Sequence, residues 1–249
     1  MSGNNKISVV TCTRNSAETI VRCIESVRGQ THKKVEHIII DCLSNDGTAE
    51  IVSNYPEIKL ISEKDNGIYD GFNKGIANST GSIIHFLNSD DEYNSIDVLK
   101  KVDNLFIDQK LSVLFCRSRL TTNNYFFGQR NFPSIELSKK NLENCLMPPH
   151  PGAFMRKSIL NILGGFDTCF NFAGDFELFI RLNETKDIIV GYSDFCSVNM
   201  YPGGATSSFL KNRVKISREL LKALKKNHYA SSWFKVNSRF LKKFLLSFN

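Results

Sequence analysis

Three features of the first half of this 249-residue chain predict an α/β domain on a mostly parallel sheet. Short β-branched runs alternate with helical periodicity, the connections between them are brief, and successive runs end in polar motifs. Residues 6–13 (KISVVTCT) read as a first strand, and residues 16–29 as a helix with Ile20, Cys23, Ile24 and Val27 on one face. Residues 35–41 (VEHIIID) are apolar almost throughout, as in a strand covered on both faces, and lead into a turn at 44–47 (SNDG). A short helix at 49–54, a third strand at 58–62, a helix at 71–78 and a fourth strand at 82–87 complete the alternation. A further helix is expected over 96–105.

In open sheets of this kind ligands bind beyond the carboxyl ends of the strands. The polar motifs lie there: Thr13-Arg14-Asn15 after strand one, Asp41 closing strand two, residues 63–67 (EKDNG) after strand three, and residues 88–91 (NSDD) after strand four. The second half is more aromatic and reads as the part that faces an acceptor. It has a strand at 113–116, a proline-rich connector at 148–152 (PPHPG), and helices at 157–163 and 175–182. The expected division is therefore a ligand-binding half over 1–110, an acceptor-facing half of the same domain over 111–210, and a basic helical tail over 211–249.

Composition narrows the function classes. The chain is 41% hydrophobic and 23% charged, as soluble globular proteins are. No apolar run reaches the ~18 residues of a membrane span, and the polar opening lacks a secretory apolar core. Seven scattered cysteines, odd in number and without a C-x-x-C pair, suggest neither a disulfide framework nor a structural zinc site, so a reducing cytoplasm is expected. The net charge of +7 is a property of the tail: residues 211–249 hold 11 Lys/Arg against Glu219 alone, while the rest holds 21 basic and 24 acidic residues. A general nucleic-acid binder is disfavoured.

Adjacent carboxylates at Asp90-Asp91 repel, and a divalent cation or ribose hydroxyls would stabilise them; a solvated turn or a helix cap is the plainer reading. Asp41 needs a donor, supplied by a nucleobase N–H or by the backbone of its own turn. Asp175 and Glu177, two apart at a helix start, point to different faces, so one can be a base and the other structural, although Asp at such a position is commonly a cap. His150, between prolines, reads as structural or surface.

Taken together, residues 10–15 (VTCTRN), 40–48 (IDCLSNDGT), 65–75 (DNGIYDGFNKG), 86–91 (FLNSDD), 164–167 (GGFD) and 174–181 (GDFELFIR) resemble family 2 of the inverting glycosyltransferases, in order and spacing as well as in content. The resemblance covers about residues 6–207 and is nearest to bacterial enzymes that build surface polysaccharides. It implies the GT-A fold, a Rossmann-like nucleotide-binding half joined to an acceptor half, and a nucleotide-sugar donor, UDP-linked. It also implies Mn2+ or Mg2+ as cofactor and a glycan or lipid-linked saccharide as acceptor. Residue by residue, Thr13, Arg14, Asp41, Asp65, Asn73 and Asp90 are implied in donor binding, Asp91 as the metal ligand and Asp175 as the catalytic base. Cys42 and Leu43 stand where the family has an acidic residue and a glycine, and Gly174 where a glutamate commonly precedes the base.

Two rivals are a nucleotidyltransferase, unsupported by any glycine-rich phosphate loop, and a non-catalytic sugar- or nucleotide-binding homologue. A dinucleotide oxidoreductase fails for want of G-x-G-x-x-G after strand one. For the tail, a helix from Ser232 would place Trp233, Val236, Phe240, Leu241, Phe244 and Phe248 on one face and Lys235, Arg239, Lys242 and Lys243 opposite. That is an interfacial pattern, expected to hold the enzyme at the inner face of the cell membrane; the alternative is an apolar stripe packed on the domain or on a second subunit of a homo-oligomer.

Overall fold

The computed structural model describes residues 5–121, 130–133, 135–202 and 209–246. Its central element is β1 (Ile7–Thr13), hydrogen-bonded in parallel to β2 (Val35–Asp41) on one side and β4 (Ile83–Phe86) on the other. β3 (Lys59–Ser62) extends the parallel set beyond β2. The intervening helices are α1 (Ile20–Arg28), α2 (Thr48–Ser53) and α3 (Ile68–Asn78). α1 starts four residues later than its periodicity suggests; the Ser16 N–H ahead of it donates to Thr48 Oγ1 (2.8 Å).

Beyond β4 the sheet turns antiparallel. β5 (Glu92–Tyr93), α4 (Val98–Asp108), β6 (Val113–Leu120), β7 (Arg130–Phe132), α5 (Lys139–Glu143), β8 (Ala153–Arg156), α6 (Lys157–Leu163), α7 (Gly174–Glu184), β9 (Val190–Met200), α8 (Phe209–Lys226) and α9 (Trp233–Leu246) follow in the chain. The strand order is β3-β2-β1-β4-β8-β6-β9-β5, with β7 paired to β6. β8 runs antiparallel to both β4 and β6, so the mixed half of the sheet begins there. β5, β7, β8 and β9 are pairings of distant segments and carry no strong local period, which is why the sequence leaves them unmarked.

Two contacts hold this sheet to its surroundings. α3 lies against β1 because Gly71 and Gly75 face it: a Cβ at Gly75 would stand 2.2 Å from Val10 Cγ1, and one at Gly71 2.8 Å from Cys12 Sγ. His85, inside β4, bridges to the proline-rich connector. Its Nε2 lies 2.8 Å from the Pro151 carbonyl, which only accepts, so Nε2 carries the proton and Nδ1 accepts from the Tyr93 hydroxyl (2.8 Å). The ring also stacks on Phe154, centroids 4.0 Å apart.

The helical tail is part of the body rather than an appendage. Leu220, Ala223, Leu224 and Val236 belong to the same core cluster as Val10, Phe86 and Phe179. The expected opposition of faces in α9 also differs in one respect: Arg239 is buried beside Val236, donating to the Val236 carbonyl (2.6 Å) and to Ser217 Oγ (3.1 Å), while Trp233 is exposed. Residues 236 and 239 form the edge against α8, where Nη1 of the guanidinium is held by a carbonyl and a hydroxyl; periodicity counts any arginine as solvent-facing. The side chains of Phe240, Leu241, Lys242, Lys243 and Phe244, and all of Phe248, lie outside the described residues.

Burial pushes His37 and His85 from the ordinary value near 6.5 down to about 3. Between those pH values the unfolded chain binds a proton at each site and the folded chain does not. The stability that each neutral imidazole contributes is therefore whole above pH 6.5 and falls on acidification by about 1.4 kcal/mol per pH unit. Denaturant titrations between pH 7 and 4 check this; a flat profile would contradict neutral buried imidazoles.

Candidate active site

The carboxyl ends of β1 and β2 meet in register, Thr13 beside Asp41. Their loops are laced into one surface: the Asn15 N–H donates to Ser44 Oγ (2.8 Å), the Asn45 N–H to Asn15 Oδ1 (3.0 Å), and the Ala17 N–H to Asp46 Oδ2 (2.9 Å). Asp41 is buried, and its carboxylate accepts from the Ser44 N–H (3.1 Å), from Ser44 Oγ, and from Ser62 Oγ of β3 (2.7 Å). The group caps its own loop, as the turn reading has it, and in addition ties in the neighbouring strand. Thr13 Oγ1 is buried with no hydrogen-bond partner among the described residues, an orphan polar atom at the rim. Arg14 is exposed beside it.

Asp90 and Asp91 follow β4. Asp91 is only 3% exposed; its Oδ2 accepts from Asn88 Nδ2 (2.9 Å) and its Oδ1 from the Tyr201 N–H (3.4 Å). Burial, and then the neighbouring Asp90 charge, push its carboxyl up to about 7. Arg22 donates to the Asp90 carbonyl (2.5 Å) and lies 3.9 Å from the centre of the Tyr201 ring, whose hydroxyl donates to Glu92 (2.6 Å). The chain just past β9 is thereby drawn onto the acidic turn. The pair fits a hard divalent cation in donor type and charge, because a cation would relieve the repulsion that burial intensifies. Among the described residues no cluster of three or more His, Cys, Asp or Glu side chains could hold a metal.

Asp175 sits in the first turn of α7, and its Oδ1 accepts from the Phe176 N–H (2.8 Å) and the Tyr69 hydroxyl (3.3 Å). The preceding Gly174 makes this contact possible: a Cβ there would come within 2.7 Å of the Tyr69 ring. Glu177 is fully buried and paired with Arg181 (2.7 Å) and Lys226 (3.4 Å), which leaves Asp175 as the accessible carboxylate of the two. His150 is enclosed by Phe72, Phe86, Phe166 and Phe179; burial holds its imidazole below the ordinary range, and Nε2 has no partner among the described residues.

Two further residues were expected to touch the donor. Asp65 accepts from the Gly67 N–H (3.0 Å) and shapes the entry to α3. Asn73 holds backbone: its Nδ2 donates to the Phe166 carbonyl and its Oδ1 accepts from the Phe166 N–H, both at 2.8 Å. One amide hydrogen and one oxygen lone pair lie beyond these two bonds.

Three partners escape a reading of the sequence. Arg22 and Tyr201 are nearly two hundred residues apart and carry no joint signal. Glu219 does have one, as the only acid of the basic tail. From α8 it accepts from the N–H groups of Asn171, Phe172 and Ala173 (2.8–3.1 Å), the segment that leads into Asp175.

Leu43, where the family motif has glycine, takes a left-handed backbone (φ 47°) and is 58% exposed. Leu43→Gly should relieve that strain with little loss of packing, stabilising by about 1 kcal/mol and raising Tm by roughly 2–4 °C. A thermal melt in which Tm does not rise would mean the loop bears no strain there.

The model of glycosyl transferase family 2 matches residues 8–183. An uncharacterized glycosyltransferase of Mycobacterium tuberculosis is 31% identical over 187 residues, covering 73% of this chain and 70% of that protein. A PGL/p-HBAD biosynthesis glycosyltransferase of Mycobacterium bovis is 24% identical over 223 residues, covering 87% and 83%. Among solved structures, TarS of S. aureus in complex with UDP-GlcNAc has a TM-score of 0.70 at 19% identity, over 88% of this chain and 66% of that one. The mannosyltransferase PcManGT of Pyrobaculum calidifontis, in complex with GDP-Man and Mn2+, has a TM-score of 0.67 at 17% identity, over 95% and 69%. At such identities the structural likeness establishes the fold. With polar strand ends gathered on one rim of a parallel half-sheet and a family match over residues 8–183, this chain belongs to glycosyl transferase family 2, on a GT-A fold.

Proposed function

We propose that this enzyme transfers a sugar, with inversion, from a UDP-sugar to a hydroxyl of a glycan or lipid-linked saccharide in the assembly of a bacterial surface polysaccharide. The observation that carries the reading is the placement of two adjacent carboxylates, one of them buried, at the end of β4, on the rim that also holds the orphan hydroxyl of Thr13. Support comes also from the PGL/p-HBAD biosynthesis name of one relative and from the UDP-GlcNAc and GDP-Man–Mn2+ complexes of the structural neighbours.

In this reading Thr13, Arg14 and Asp41 form the pocket for the nucleoside. The exposed Arg14 offers a cation to the donor, and the Thr13 hydroxyl gains the partner it lacks. Asp90 contacts ribose or sugar. Asp91, aided by Asp90, would hold Mn2+ or Mg2+, which when bound offsets the charge that develops on the leaving diphosphate. Asp175 accepts the proton of the acceptor hydroxyl as its oxygen attacks the anomeric carbon; the bond from that carbon to the diphosphate oxygen breaks, and its electron pair leaves with the diphosphate. Attack from the face opposite the leaving group inverts the configuration, and no sugar–enzyme bond forms. Tyr69, donating to Asp175, holds the carboxylate in place. The enclosed, neutral imidazole of His150 lies near enough to Asp175 to feel its charge and adds no cation to the base. Seven free cysteines suit a reducing compartment, in keeping with a cytoplasmic location.

Asp91→Asn keeps the side chain's shape but removes its charge, so the mutant is expected to bind UDP without the enhancement that Mn2+ gives the parent. Calorimetry with and without the metal reads this; unchanged metal dependence would remove Asp91 from the role. Asp175→Asn should fold and bind UDP normally while transfer drops by ~10²–10⁴-fold. Sugar release from a panel of nucleotide-sugars, with the anomer of the product assigned by NMR, is the check. Transfer near the parental rate, or a retained configuration, would refute the base assignment or the inversion.

A further inference from the structure

The tail presents a surface that neither the nucleotide rim nor the base explains. Lys215, Arg218, Lys222 and Lys225 recur at steps of three, four and three along α8 and are all exposed, so they form one continuous stripe of like charge. Lys222 leans on the body, 3.3 Å from the Cys169 carbonyl and 4.9 Å from the centre of the Phe170 ring. Lys215, Arg218 and Lys225 make no ion pair among the described residues. The one acid of residues 211–249 that could offset them, Glu219, spends its carboxylate on the N–H groups ahead of α7.

At the start of α9 two aromatic side chains stand out of the surface, Trp233 at 48% and Phe234 at 82% exposure, next to the exposed Lys235. Their helix is held from behind by Val236 and Arg239 against α8, so the aromatics are presented by an anchored element. Among the described residues no helix is long and apolar enough to cross a membrane. The remainder of the chain, with 21 basic against 24 acidic residues, carries no matching positive field.

We propose that the α8–α9 pair is a docking surface for an anionic phospholipid bilayer, with the α8 stripe on lipid phosphates and Trp233 and Phe234 in the interfacial layer. Unrelieved like charge seeks a polyanion, and a flat one suits a single face. Exposed aromatics beside cations match an interface that is wet on one side and apolar on the other. The surface is independent of the catalytic reading and can fail without it.

The chain has a single tryptophan, Trp233, so the protein reports its own insertion. Full-length protein is mixed with vesicles of phosphatidylcholine alone or with phosphatidylglycerol added, and with the same lipids brominated in the acyl chains. Expected are co-sedimentation with the anionic vesicles only, release by salt, a blue shift of Trp233 emission, and quenching by the brominated lipid. Combined Lys215→Gln, Arg218→Gln and Lys225→Gln, all at exposed positions, should weaken binding about a hundredfold with Tm unchanged. Absence of sedimentation, or sedimentation without quenching of Trp233, would overturn the proposal whatever the variant does. So would binding to duplex DNA in place of vesicles, or a dimer in lipid-free solution that already shields Trp233.

Discussion

The seating of α3 on β1 is the contact on which the placement of Asp175 against the strand-end rim depends. Gly71 and Gly75 bring the helix so close that a single methyl at either position would collide with Cys12 or Val10. Everything that α3 then reaches depends on that proximity. Tyr69, at its first turn, stacks on Phe166 and donates to Asp175; Asn73, one turn on, holds the Phe166 backbone from both ends. The same helix begins at the loop that follows β3 and borders the nucleotide rim. An outward shift of α3 would therefore move Asp175 relative to the rim, and close-packed interiors transmit such shifts rather than absorb them.

The buried carboxylates show how environment divides one chemical group into different tasks. Asp41 is enclosed but satisfied by two serines, so it serves as a fixed strut between β2, β3 and their loops. Glu177 is enclosed and neutralised by Arg181 and Lys226, and it binds α7 to α8. Asp91 is enclosed with an amide, a distant backbone N–H and a like charge for company, and its proton affinity rises accordingly. The group left in the least favourable surroundings is the one that a cationic ligand would benefit most. α8 enters the same arrangement from the far end of the chain: Glu219 grips the backbone ahead of Asp175, and Lys226 closes on Asp167 and Glu177. A helix read from its composition as a tail is a wall of the core around α7.

The sequence by itself determined the parallel half of the sheet, because each βα unit there is a local matter of period and turn. The strands at 6–13, 35–41, 58–62 and 82–87 and the helices at 157–163 and 175–182 lie within one or two residues of those observed. It also marked Thr13, Asp41, Asp90 and Asp91 as one rim, since parallel strands deliver their carboxyl ends to the same edge. Only the tertiary structure decided the rest. That β8 reverses the sheet, that Asn73 clasps the Phe166 backbone, that Gly174 admits Tyr69, and that Arg239 is buried all depend on pairs of segments distant in sequence. Local propensity holds no record of such pairs, because the free energy that selects them arises only when both partners leave water together.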